Sequence, residues 1–195
     1  MPAGQTRAKL VKATASVMRE RGLTGTTIRQ IAKEAGVAEG ALYRHFSDKV
    51  ELILAVMLEE WPSLAVAITG LHDHIGRGTV RGNLRTLVVA ALDGYEELVP
   101  FVATITNDPA VLAAVREEFA ARRIGPARAH DGLVMYLEAE AGRGRVELAA
   151  PAEVISAALL GACHEHAFLR LLHDRLPFGE DREAFAADLV RLLVP

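Results

Sequence analysis

Two stretches of the chain hold residues whose types and spacing can do chemistry. Residues 27–46 read TIRQIAKEAGVAEGALYRHF. Ile31, Ala32 and Ala35 form the inward face of a short helix, and Gly36 permits a left-handed turn. Val37 plugs the corner and Leu42 faces back to the core. The pattern is helix, tight turn, helix. In such a unit the second helix lies in the major groove of DNA, its N-terminal residues nearest the bases. Those residues are Ala38, Glu39, Gly40 and Ala41, and small side chains there let the backbone come close. The second stretch is Cys163-His164-Glu165-His166. Cys163 and His166 stand i, i+3 and can share a face, as zinc ligands would. Two ligands do not make a site, and His130 or His173 would have to converge on them. His72 and His74 diverge on a helix. No Ser/His/Asp order, phosphate loop or supported carboxylate pair is present, so no catalytic and no metal residue is assigned.

The elements that must position these residues read as helices throughout, with no convincing strand. Leu10, Ala13, Val17 and Met18 recur at helical spacing, and Gly22 closes that helix. Thr26 and Thr27 supply an N-cap, and Gln30 completes a capping box if Thr27 is the cap. A third short helix is expected from about 38 to 45. Ser47 is read as the cap of a long fourth helix, with Asp48 and Glu51 in its first turn and a kink near Trp61, ahead of Pro62. A helix from about 80 to 98 is expected to stop before Pro100, with a short one over 101–106. Asp108-Pro109 starts another helix that ends near Gly125-Pro126. Helices over about 126–141, 151–173 and 181–193 complete the chain.

Length and composition set the frame. The chain has 195 residues, enough for a head of about 50 and a larger domain of about 150. Hydrophobic residues make up 51% and aromatics only 5%, so the core must be mostly Ala, Leu and Val, which suits helices. One cysteine excludes an internal disulfide and fits a reducing compartment. No signal peptide and no membrane span are read, so a cytoplasmic protein is expected. The net charge is −3, yet residues 1–50 hold nine basic and four acidic residues, a local +5 that leaves −8 for the remainder. A basic head on an acidic body suggests that only the head meets phosphate.

With these residues in view, the sequence resembles the TetR family of regulators. Gly22, Thr26-Thr27-Ile28, Ile31-Ala32, Ala35-Gly36-Val37, Gly40, Leu42-Tyr43, His45-Phe46 and Lys49 carry the likeness, which is dense over about residues 7–55. The resemblance implies an all-α fold: a three-helix DNA-binding domain over 1–47 and a helical effector-binding and dimerisation domain over 48–195, nine to ten helices in all. It implies that Thr27 and the start of its helix hold phosphate, and that Tyr43, His45 and Lys49 contact the DNA backbone. Gly40, Ala41 and Arg44 would face the groove, Arg44 as reader of guanine. Phe46 is read as a core anchor. Many members carry Ser or Thr where Ala38 stands, so a cap and a phosphate contact are missing here. Glu39 suits DNA only as an acceptor from cytosine.

The resemblance also implies a homodimer on double-stranded operator DNA, built on the last two long helices. Ala157 with Gly161, and Ala158 with Ala162, are small residues at i, i+4 that allow close helix approach, flanked by Phe168 and Leu172. An unidentified small-molecule effector, and no cofactor, is expected among the helices between about 48 and 141. The candidate walls are Leu58, Trp61, Leu64, Ile68, Tyr95, Phe101, Ile105 and Met135, with His164 as a polar handle. The expected function is a one-component regulator, a repressor released from a palindromic operator by that effector, and not an enzyme. The alternative is a helical ligand- or metal-binding protein, or an enzyme using Cys163 and His166, without specific DNA recognition.

Overall fold

A computed structural model describes residues 3–22, 25–59 and 62–194, without the side chains of residues 3, 58, 62–65, 103 and 104. Among the described residues there are ten helical segments and no strand. The all-α expectation holds. The chain divides into two compact units, one of Met1–Pro62 with Pro100–Arg122, the other of Ser63–Val99 with Arg123–Pro195. The first unit thus takes in helical residues well beyond 47.

In the first unit, α1 (Ala3–Arg21) packs on α2 (Ile28–Ala35) and α4 (Lys49–Glu59), with α3 (Glu39–Leu42) against α2. Leu10, Ile31, Leu42, Leu52, Ile53 and Val56 have no exposed area, and Phe46 is buried with them as the core anchor its apolar ring suggested. Arg7 reaches from α1 to Glu59 at 2.5 Å, its guanidinium 5.2 Å above the Phe46 ring. The cap of α4 lies one residue later than expected. The Asp48 carboxylate accepts the Glu51 N–H at 2.8 Å, and the Glu51 carboxylate accepts the Ser47 N–H at 2.6 Å. Asp is as good a cap as Ser, and it is the Asp48 carboxylate that meets a first-turn N–H.

The expected long fourth helix is described on either side of residues 60 and 61, as α4 and as α5 (Pro62–Asp73); the expected kink near Trp61 lies outside the described residues. Pro100 behaves in the opposite way to expectation. It sits inside one continuous helix, α6 (Val80–Ile105), rather than separating two. An internal proline costs about 3 kcal/mol. Burial on both sides offsets it, for Leu92, Val99, Phe101 and Ile105 are all 6% exposed or less. The boundary between the units falls at this proline, so α6 contributes to both. Helix α7 (Pro109–Arg122) starts as expected: the Asp108 carboxylate accepts from the Ala110 and Val111 N–H groups.

The second unit is a core of Leu84, Leu87, Val88 and Leu92 from α6, with Leu133, Tyr136 and Leu137 of α8 (Pro126–Ala141) and Leu159 and Leu160 of α9 (Ala152–Leu172). Ala186 and Val190 of α10 (Arg182–Leu193) close it. Gly132 is required where α5 meets α8, since a Cβ there would lie 2.5 Å from Ile68 Cγ2. At one end, Glu140 is wholly buried. It accepts the Gly76 N–H at 2.7 Å and Arg145 Nε at 2.5 Å, while Arg145 also donates to the Arg77 and Gly78 carbonyls. A buried carboxylate survives only when its lone pairs are filled in this way. Arg145→Ala is therefore expected to lower the unfolding free energy by on the order of 3 kcal/mol, read by urea denaturation. The loss should shrink when Glu140→Gln removes the stranded charge.

Candidate nucleic-acid interface

The corner between α2 and α3 is built from local chemistry. The Thr27 hydroxyl accepts the Gln30 N–H at 3.3 Å, and Gln30 Oε1 accepts the Thr27 N–H at 2.9 Å. This is the expected capping box. Gly36 ends α2 at φ +67°, where a side chain would be strained, and the Val37 N–H returns to the Ala32 carbonyl at 3.0 Å. Ala38 precedes α3 with extended backbone and no side-chain cap. The expected recognition helix of 38–45 is shorter. Regular helix covers Glu39–Leu42, and His45 and Phe46 both donate back to the Leu42 carbonyl at 2.9 Å. An uncapped start and a glycine at the second position weaken the helix, and packing of Ala41, Leu42 and Phe46 holds what remains.

The candidate residues separate by burial. Ala38, Glu39, Gly40, Tyr43 and Arg44 are exposed, Tyr43 at 60%. His45 and Lys49 are half-buried. Burial pushes the Lys49 ammonium below its ordinary value, and the Asp108 carboxylate partly offsets this. Two candidates point inward. Ala41 is 7% exposed and packs into the head, so it does not face a groove. Thr26 is 2% exposed, and its hydroxyl donates to the Gly22 carbonyl at 2.6 Å. The Thr27 hydroxyl is itself committed, donating to Gln30 Oε1 at 2.9 Å as well as accepting from Gln30. What α2 offers an anion is the first-turn N–H groups of Ile28 and Arg29, which no helical carbonyl reaches. Arg29 was not singled out from the sequence. It is an exposed cation in that first turn, and its place one residue inside the capping box was the available signal.

The candidate effector walls are divided between the two units. Trp61 lies outside the described residues, as do the side chains of Leu58 and Leu64. Ile68 is core of the second unit and fills the space beside Gly132. Phe101 and Ile105 are buried, and belong to the first unit. Met135 is 45% exposed, with its sulfur 3.4 Å from His72 Nε2. Tyr95 and His164 do meet, edge to face at 5.7 Å, and burial pushes the Tyr95 hydroxyl up to about 12. An open cleft of about 700 Å³ is lined by Thr79–Arg81, Gly144–Glu147 and Val194, none of them a candidate wall. The stretch at 163–166 does not open onto a site. Cys163 is buried, its thiol pushed up to about 12 by that burial, and His166 lies against Glu96. Among the described residues, no three His, Cys, Asp or Glu side chains converge to hold a metal ion.

The small-residue face of α9 is presented outward. Ala157, Ala158 and Gly161 are exposed and Ala162 half-buried, with Phe168 at 42% and Leu172 at 58%. The opposite face carries the buried Ile155, Leu159, Leu160 and Cys163.

Gly40 separates fold from contact, because a Cβ there would meet open space. Gly40→Ala should leave the melting temperature equal or higher, since alanine is the better helix former by about 1 kcal/mol. It should nevertheless weaken DNA binding by crowding the approach of α3. Equal affinity for both proteins in a fluorescence titration would show that this glycine is not at the DNA surface. Lys49→Ala should lower the slope of log affinity against log salt by about 0.9, as the loss of one phosphate contact requires.

Comparison with known proteins places this geometry. Residues 10–56 match the model of bacterial regulatory proteins of the tetR family. Among curated relatives, the HTH-type transcriptional regulator TtgR of Pseudomonas putida is 35% identical over 77 residues, 40% of this chain and 33% of TtgR. The HTH-type transcriptional repressor KstR2 of Mycobacterium tuberculosis is 45% identical over 47 residues, 24% of each chain. The matched stretches thus span a third and a quarter of these relatives' own length. Among solved structures, a TetR transcription regulator from Haloarcula marismortui superposes with a TM-score of 0.74 at 17% identity, covering 98% of this chain and 100% of that one. FadR from Bacillus subtilis, solved in complex with stearoyl-CoA, gives 0.69 at 18% identity, covering 96% and 97%. Over residues 10–56 the chain is similar to the tetR family of bacterial regulatory proteins, and its described helices share the fold of solved regulators that carry that name.

Proposed function

We propose that the protein is a one-component transcriptional regulator that binds operator DNA as a homodimer and is released by a small-molecule effector. The observation that carries the DNA-binding part is the capped corner at Thr27–Gln30 and Gly36, which leaves Gly40 of the uncapped α3 and Tyr43 and Arg44 just after it exposed on a locally basic head. Only a close, shallow approach to a long anionic partner uses such a surface. Regulators and repressors among its relatives support the same reading.

The dimer reading is supported by the outward α9 face, where small residues sit beside exposed Phe168 and Leu172, with Leu192 of α10 at 76%. Exposed apolar residues in one stripe mark an interface. The effector reading is supported by a FadR of the same fold known with stearoyl-CoA, and by a second unit large enough for a core of its own. The protein is read as a non-enzyme without cofactor that works in the cytoplasm; among the described residues no helix is long and apolar enough to cross a membrane.

A gel-shift titration on DNA flanking the protein's own gene tests the regulator. Sequence-selective binding that weakens steeply with salt is expected, and binding indifferent to sequence would overturn the reading. Phe168→Glu combined with Leu172→Glu should convert a sedimenting dimer to monomer while leaving the head folded. An unchanged sedimentation coefficient would overturn the proposed interface.

A further inference from the structure

Behind the outward face of α9 lies a buried imidazole that neither the DNA surface nor the proposed interface uses. His166 is 1% exposed. Its ring lies against Phe178 and Phe185, with centroids 5.4 and 5.2 Å away. His166 Nδ1 faces Glu96 Oε1 of α6 at 3.6 Å, too far for a hydrogen bond. Both atoms are buried, and neither has a hydrogen-bond partner among the described residues.

Charges from every element packed there converge on this pair. Glu96 Oε2 accepts from Arg182 at the start of α10, and Arg182 also binds Asp93 one turn earlier in α6. Arg170 of α9 stands 3.9 Å from Glu96 Oε1 and 2.5 Å from Glu180 in the connection at 173–181. Glu180 in turn accepts the Leu176 N–H at 2.9 Å. Arg182 is thus a tie from α10 to α6, next to the Arg85–Glu183 pair at 3.3 Å, and Glu96 is its anchor.

The neutral ring packs beside the two phenylalanines, whose own centroids lie 5.2 Å apart. A proton would place a third cation beside Arg170 and Arg182 in a nearly dry site, and Glu96 is the acceptor within reach. The imidazolium then competes with Arg170 and Arg182 for the one carboxylate of Glu96, or leaves its place beside the phenylalanines. Either weakens the hold of Glu96 on Arg182. We propose that His166 is a proton-operated latch: neutral, it holds the 173–181 connection and the start of α10 against α6 and α9; protonated, it frees them.

The direction of the pH effect follows. Burial, with Arg170 and Arg182 nearby, holds the latched imidazole below its ordinary value, against the opposing pull of Glu96 and Glu180. With that segment released, the uncovered ring titrates at about 6.5. The latched state is therefore fully favoured above that pH and loses ground as the pH falls through 6.5 toward the lower latched value.

Hydrogen exchange of the full chain at pH 7.5 and 5.5, corrected for intrinsic rates, tests this within one chain and so independently of the dimer. Amides of 173–193 should lose protection on acidification, about tenfold for each pH unit separating the two titrations, while α8 keeps its own. His166→Phe, which preserves a ring but takes no proton, should abolish that loss. Unchanged protection in the wild type, or the same loss in His166→Phe, would overturn the latch. A nuclear magnetic resonance titration of His166 in the wild type needs no variant: a midpoint below 6.5 supports the latch, and one at or above it overturns it.

Discussion

The left-handed turn at Gly36 is the constraint on which the DNA-binding head depends. It stops α2 after two turns and reverses the chain, so that Leu42 and Phe46 return to the core under α1 and α4. Everything exposed on α3 is then exposed because its neighbours are buried. Four residues of regular helix with no cap would not hold alone. They are held by the buried Ala41 and Leu42 and by the turn before them. The shortness of α3 is a consequence of tertiary packing, and Gly40 leaves its exposed face without a side chain.

The second constraint is continuity through Pro100. A helix broken there would have given each unit its own terminus. Instead one helix supplies Leu84 to Leu92 to the second core and Phe101 and Ile105 to the first. The weakened hydrogen bond at the proline falls where the units divide. That arrangement also explains the fate of the effector walls. Ile68, Phe101 and Ile105 fill one core or the other, and apolarity alone does not distinguish a lining from a filling.

Polar ties in the second unit follow a common rule. Glu140 is buried and fully satisfied by Arg145 and Gly76, and so reads as structure. Glu96 and His166 face each other with one atom each left over. The difference between a closed set of partners and an open one separates a rigid clasp from a group able to respond to a proton.

How far the chain could be read without coordinates depends on the range of the interaction. The capping box at Thr27 and Gln30, the turn at Gly36, the cap at Asp108 and the outward small-residue face of α9 were legible, because each arises from residues within a few positions of one another. The inward turn of Thr26 and Ala41, the helix through Pro100 and the gathering of Arg170, Glu180 and Arg182 around Glu96 were not. They rest on partners tens of residues away, whose burial outweighs local preference. By itself the sequence determined that this is a helical chain with a capped helix-turn-helix corner in a basic head. Only the tertiary structure decided which of those residues stay at the surface, because exposure is what remains after the core has been filled.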